Sequence, residues 1–165
     1  KYAALGVKIF AIDTFKLSSD ADPKNPFWLE MMQQMREFDD LVKPSNLNVS
    51  LICTLQLGKG AIVSRYLSAN DLGMSKNIID VASTCLLIRK MYADEYKGEK
   101  NEIKVWNTVG DSRFATELDP TKRHSIIFIE KNRNGIAQEF QVVAQHDFAT
   151  FKYKEMGKSY ISIGV

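Results

Sequence analysis

The sequence predicts an α/β protein whose sheet is parallel in its middle and antiparallel at one edge. Three observations carry that prediction. Compact, β-branched apolar runs recur at residues 7–12, 49–55 and 84–88. An amphipathic segment at helical spacing separates the first two. A strong hairpin pattern follows at residues 125–144.

Each element has its own signal. Residues 7–12 are apolar and stop at Asp13, the form of a buried strand with a polar tip. Residues 16–26 hold two prolines with several Ser and Asp, and read as a loop. In residues 27–42, Phe27, Met31, Met35 and Phe38 recur at helical spacing, with Gln33, Arg36 and Asp40 on the other side. Pro44, Ser45 and Asn46 end that helix. Residues 49–55 form a second strand, closed by Gln56 and the glycines around Lys59. A short crossover is expected at residues 76–81, and a third buried strand at 84–88. Glu102 to Trp106 reads as an exposed strand. Residues 125–130 and 139–144 pair across the turn Asn132-Arg133-Asn134-Gly135. Phe148, Phe151 and Tyr153 mark one more strand.

Composition limits the function classes. The chain has 165 residues, 45% apolar and 25% charged, with a formal net charge of +2, which fits one ordinary globular domain spanning 1–165. Disorder, collagen and disulfide-rich mini-proteins are excluded. No apolar run exceeds about five residues, far short of the roughly 20 of a membrane span, and no leader peptide is visible. A cytoplasmic protein without a membrane partner is expected, with Cys53 and Cys85 as buried free thiols. From the start at Lys1 a fragment, a processed chain or missing upstream residues are expected. His124 and His146 show no metal-ligand spacing, so no zinc site is expected.

Open α/β sheets bind ligands beyond the carboxyl ends of their strands. Polar residues sit at such ends. Asp13 closes Ile9-Phe10-Ala11-Ile12, and one carboxylate there can orient Mg²⁺ through its water shell. The Gln56 amide can hydrogen-bond a γ-phosphate or its attacking water. Lys131 and Arg133 place two cations at the end of a strand, where they can reach a neighbouring subunit's phosphates.

These stretches, in this order, resemble the RecA-type motor domain of DnaB-like replicative DNA helicases. The resemblance rests on Lys8 to Asp13 as a Walker B strand, on the apolar strand ending Leu55-Gln56-Leu57, and on Asp71-Leu72 followed by the strand to Ile88. Most specifically, it rests on Lys131-Asn132-Arg133-Asn134-Gly135, which is similar to the family's Lys-Gln-Arg-Asn-Gly. It covers the chain except about residues 97–123, an insertion atypical of the family.

The resemblance implies a partial RecA-like, P-loop NTPase fold. It also implies a replicative helicase that couples ATP hydrolysis to translocation on single-stranded DNA and to duplex unwinding, as a homo-oligomeric hexameric ring working with a primase or helicase loader. Asp13 would orient Mg²⁺ through water, Gln56 would sense the γ-phosphate, and Lys131 and Arg133 would complete the ATP site of the adjacent subunit. All four would bind nucleotide and serve catalysis. Lys16, Ser18, Ser19 and Lys24, then Gly58, Lys59 and Gly60, with Arg65 beyond, would hold DNA.

The chain has no Gly-x-x-x-x-Gly-Lys-[Ser/Thr]. It is therefore expected to be the C-terminal half of the motor domain, inactive alone and without tight binding of ATP or Mg²⁺. Two alternatives stay open: a non-catalytic RecA-like module that binds DNA or a partner, and another RecA-type ATPase of the recombinase or clock-protein kind. An incomplete sheet is also expected to promote self-association.

Overall fold

In unpaired form a β-strand leaves a row of backbone donors and acceptors unsatisfied, so the strands of this chain are best understood through their partners. A computed structural model describes residues 1–16, 24–75, 78–107 and 115–162. They form a mixed α/β structure with a two-stranded parallel sheet and a six-stranded sheet whose pairs are all antiparallel. The chain divides into two units. One comprises Lys1–Ser64 with Ala69–Ser83, and the other Arg65–Ser68 with the chain from Thr84 onward.

The first unit is a strand–helix–strand arrangement. Strands β1 (Ile9–Ile12) and β2 (Ser50–Cys53) run parallel, with Ile9 opposite Ser50 and Ile12 opposite Cys53. Helix α1 (Phe27–Val42) connects them, as the apolar spacing predicts. Asn25 Nδ2 donates to Glu30 across the helix start, and Glu30 in the first turn complements the helix dipole. Lys43 follows the last turn and pairs with Asp39 at 3.5 Å and Asp40 at 2.5 Å, after which Pro44 stops the helix. The buried side of α1 presents Met31 to Phe15 and to Ile78 of α2 (Ile78–Val81), with Met35, Phe38, Cys53 and Leu55 packed around them. Phe15 and Phe38 meet edge to face at 5.7 Å.

The second unit is the antiparallel sheet, in the order β3 (Thr84–Lys90), β6 (Arg123–Asn132), β7 (Gln141–Asp147), β8 (Lys152–Ser159), β4 (Val105–Trp106), β5 (Ala115–Thr116). One face is dry: Leu87, Ile126, Phe128 and Val143 are buried with Leu67, Met91, Val105 and Leu118. Each such side chain contributes roughly 1.5–3 kcal/mol by leaving water. Gly157 allows β8 to approach β4. Its φ is +142°, and a Cβ there would lie 2.2 Å from the Trp106 carbonyl oxygen.

The strand expectations are met in most places, with four differences. The first apolar run is not a buried strand, nor is its parallel partner: β1 and β2 alternate exposed and half-buried residues, with Ile9 and Ile52 exposed on the side that α1 leaves uncovered among the described residues. The third apolar strand does not extend the parallel pair; β3 lies antiparallel to β6, so the described sheets are separate rather than one sheet of mixed direction. Alternation explains the misreading. Leu87 and Arg89 are buried while Leu86 and Ile88 are exposed, so the run is a one-sided antiparallel strand despite its continuous apolar text. The pattern around residues 148–153 begins a strand only at Lys152; Phe148 and Phe151 belong to the turn before it. Finally, Val105 of the exposed strand expected at 102–106 is buried, and the paired part is only two residues long.

Candidate functional site

The site is built from the carboxyl end of the parallel pair. Parallel strands finish on the same side, so whatever follows Ile12 lies beside whatever follows Cys53. The ladder continues past both strands: Thr54 N donates to Ile12 O at 3.1 Å, and Phe15 N donates to Thr54 O at 2.8 Å. One further step of register brings Asp13 opposite Thr54. There Thr54 Oγ1 donates to Asp13 Oδ1 at 2.5 Å, and Thr14 Oγ1 donates to the same oxygen at 3.4 Å. The buried ring of Phe15 anchors the chain immediately beyond. Asp13 itself is exposed, held by its neighbours with its carboxylate in water.

Gln56 is also exposed and lies on the irregular stretch that follows β2, two residues beyond Thr54. It does not sit on the strand tip, because β2 ends at Cys53. The next residues are fastened, with Gly58 N donating to Asp71 O at 2.7 Å. A 3-10 turn over Lys59–Ile62 buries Ala61 and leaves Lys59 and Gly60 exposed, with Ile62 and Val63. Lys16 and Lys24 are exposed, while Ser18 and Ser19 lie outside the described residues. Hydroxyl and carboxylate oxygens at the Asp13 end are hard donors of the kind Mg²⁺ accepts. Among the described residues no group of three or more His, Cys, Asp and Glu is placed to hold a metal ion directly.

The other predicted cations belong to the antiparallel unit. Lys131 is half-buried on β6, opposite Cys85, and Arg133 is exposed in the turn. The turn is held by Asn132: Asn134 N donates to its Oδ1, and Gly135 N to its carbonyl, both at 3.4 Å. The loop is longer than a tight hairpin, since β7 begins only at Gln141. Gln138, at φ +62°, folds it back onto β6 by donating from N to Ile129 O and from Nε2 to Glu130 O.

Arg65 has a different setting from the other DNA-contact candidates. Its guanidinium pairs with Asp94 at 2.6 Å and Glu95 at 3.2 Å, within the antiparallel unit. These carboxylates hold its pKa above the usual arginine value, and in return Arg65 and Asn101 hold that of Asp94 below the usual carboxylate range. The residue that organises this cluster, Arg89, is not a sequence candidate. It forks onto Glu95 with two 2.8 Å hydrogen bonds and donates to the Arg65 carbonyl from Nε and Nη2. Its sequence signal is an arginine inside an apolar strand, followed six residues later by a glutamate. Thr54 also escapes sequence reading, because the residue facing Asp13 is set by register.

No protein-family model matches the chain, and no curated protein is significantly similar to it. Cys53 and Cys85 are unpaired and half-buried, and burial pushes both thiols up. No helix among the described residues is long and apolar enough to cross a membrane.

Proposed function

We propose that this chain is part of the motor domain of a DnaB-like replicative helicase, a RecA-like ATPase that moves on single-stranded DNA. The observation that carries the reading is the hydrogen-bonded Asp13–Thr54 pair at the shared carboxyl end of β1 and β2, with Gln56 two residues on. A Walker B element is an apolar strand followed by a carboxylate that helps hold Mg²⁺, and β1 followed by the exposed Asp13 supports that reading.

In this reading Asp13 would hold Mg²⁺, and the Thr54 and Thr14 hydroxyls keep its Oδ1 in place. The ion, when bound, supplies positive charge to the phosphates of ATP. The Gln56 amide meets the γ-phosphate or the attacking water. Lys131 and Arg133 neutralise charge developing on the phosphoryl group in the neighbouring subunit. Lys16, Lys24, Lys59 and the backbone of Gly58 and Gly60 contact the phosphates of the DNA strand. Arg65, tied to Asp94 and Glu95, contributes less than those loops.

The chain contains no Gly-x-x-x-x-Gly-Lys-[Ser/Thr], so ATP turnover requires a phosphate-cradling loop from elsewhere in the complete gene product. The test uses that product. Asp13→Asn and Arg133→Ala should each lower DNA-stimulated ATP turnover, the latter by roughly a thousandfold. Mixing Arg133→Ala with wild-type subunits should inactivate interfaces in proportion to the mutant fraction. Full turnover by either variant overturns the proposal. A complete gene product without any such glycine-rich loop would instead favour a non-catalytic RecA-like module.

A further inference from the structure

The six-stranded sheet ends in β3 on one side and β5 on the other, and the two sides leave different edges. β5 is two residues long. β4 stands opposite β8 at Lys158, so the length of β8 beyond it carries Lys152, Lys154 and Glu155 along its open side. Short strands and charges discourage a sheet from adding further strands. β3 has neither protection. It is seven residues long and holds no proline. Its internal charge, Arg89, turns inward to Glu95, and Lys90 stands at its very end. Among the described residues β3 pairs with β6 alone.

The phase of the ladder says which backbone groups the open side offers. Met91 N donates to His124 O, on the β6 side, at 3.0 Å. Backbone direction alternates along a strand, so Arg89 and Leu87 also point to β6, while Leu86 and Ile88 direct their N–H and C=O groups away from it. The irregularity in this pairing leaves the alternation of β3 intact, because the extra residue, Glu130, lies on β6: Cys85 faces Lys131 and Leu86 faces Ile129. The same two residues carry the uncovered aliphatic side chains, with Leu86 52% and Ile88 54% exposed. They rise beside the half-buried Ile127, Ile129 and Val142. Unpaired backbone and uncovered aliphatic surface thus coincide, and another β-strand satisfies both at once.

Self-complementarity selects the strand. When a second β3 is turned antiparallel about a two-fold axis at Leu87, Leu86 stands opposite the partner's Ile88 and Ile88 opposite the partner's Leu86. Both pairs then exchange their outward N–H···O=C bonds, and aliphatic meets aliphatic. Thr84 faces the partner's Lys90, and Cys85 the partner's Arg89, so no like charges meet. Such a contact is closed by its own symmetry and stops at two copies. We infer that β3 is the interface of a two-fold dimer in which the sheets of two chains join edge to edge in this register. The inference does not rest on the helicase reading, whose subunit contact lies at Lys131 and Arg133.

The test is the mass of the 165-residue chain in solution, by size exclusion with light scattering over a dilution series. The chain should run at twice the mass of one copy and dissociate on dilution. Ile88→Lys and Leu86→Lys each place an ammonium group on the open edge, away from the buried face. Either should weaken the dimer by roughly a hundredfold, because symmetry repeats the change on both copies, with the far-UV circular dichroism unchanged. Register has its own readout, which stands even if a lysine variant fails to fold. With Cys53→Ser and Cys85→Ser in the background, a mixture of Leu86→Cys and Ile88→Cys chains should form a disulfide-linked pair on mild oxidation, since opposed Cα atoms about 5.5 Å apart lie within disulfide range. Neither chain alone should do so. A monomer at every concentration overturns the inference, as does a dimer that neither lysine variant weakens. Growth into larger assemblies, absence of the mixed disulfide, or equal linkage in either cysteine chain alone would also overturn it, because each denies the closed two-fold register.

Discussion

The two units hold their best-placed carboxylates in opposite ways. Glu95, in the antiparallel unit, is buried to 1% exposure. It accepts from Arg89 twice at 2.8 Å, from Arg65 at 3.2 Å and from Tyr92 N at 2.8 Å. The Arg89 guanidinium in turn stands 4.7 Å from the Tyr92 ring centre and 5.7 Å from that of Phe128. Asp13, in the parallel unit, is exposed, and the hydrogen bonds it accepts from described residues come from the two neighbouring threonines, both on Oδ1. A carboxylate whose lone pairs are all used inside the protein is structural. One that is positioned but still in water keeps the capacity to bind something else.

The sharpest way to break this contrast is Glu95→Gln. Removing one partner of a buried ion pair leaves the Arg89 charge uncompensated and costs about 3–5 kcal/mol. Urea denaturation of the chain should show a loss of that order, with hydrogen exchange rising first in β3 and β6. A loss below about 1 kcal/mol, the range of exposed pairs, would mean that the cluster is solvated and that the contrast with Asp13 fails.

Proton linkage gives a smaller effect in the same unit. Burial pushes the His124 pKa below its ordinary 6.5, against an opposing pull from Asp119. The ring is 1% exposed, and its Nδ1 lies 3.1 Å from Tyr96 Oη. The unfolded chain takes up a proton near pH 6.5 that the folded unit resists. The His124 contribution is therefore fully present above about pH 6.5 and is lost as pH falls below it, through the folded value. The melting midpoint should drop between about pH 7.5 and pH 5.5. His124→Gln should flatten that drop; an unchanged slope in the variant would assign the pH dependence to other groups.

How much of this was legible in the sequence follows from the range of each interaction. Helix α1 was readable to the residue, because its apolar spacing, the proline-containing loop before it and its Pro44 stop are all local. The hairpin of β6 and β7 was readable in outline, since turn residues and alternating strands lie next to each other. The partner of β3 was not: parallel and antiparallel strands share the same composition, and the choice is made by contacts with residues about 40 positions away. The position of Asp13 at a strand end was visible as text, whereas its hydrogen bond to Thr54 spans 41 residues and appears only once register is set. Arg89 was obscured because the apolar run around it reads as core. The exposed rings at residues 148–153 read as strand for a related reason: aromatic text predicts burial, and nothing in a linear pattern tells a ring facing water from one facing a core.

The smallest expected effect on stability is the most informative for the parallel unit. Asp13→Asn keeps the shape of the side chain and an oxygen that can accept from Thr54 Oγ1, and removes only the charge. If the carboxylate is held for a ligand rather than for the fold, the denaturation midpoint of the chain should be unchanged within error. Thr54→Val should behave the same way, since the β-branched shape that suits the end of β2 is retained. In the complete gene product, however, Thr54→Val should raise the Mg²⁺ concentration needed for half-maximal ATP turnover, because Oδ1 loses the donor that fixes it. A purely structural threonine would shift the midpoint and leave the Mg²⁺ dependence alone. The opposite pattern, a stable protein with weakened metal dependence, separates a carboxylate poised for chemistry from one spent, like Glu95, on holding the chain together.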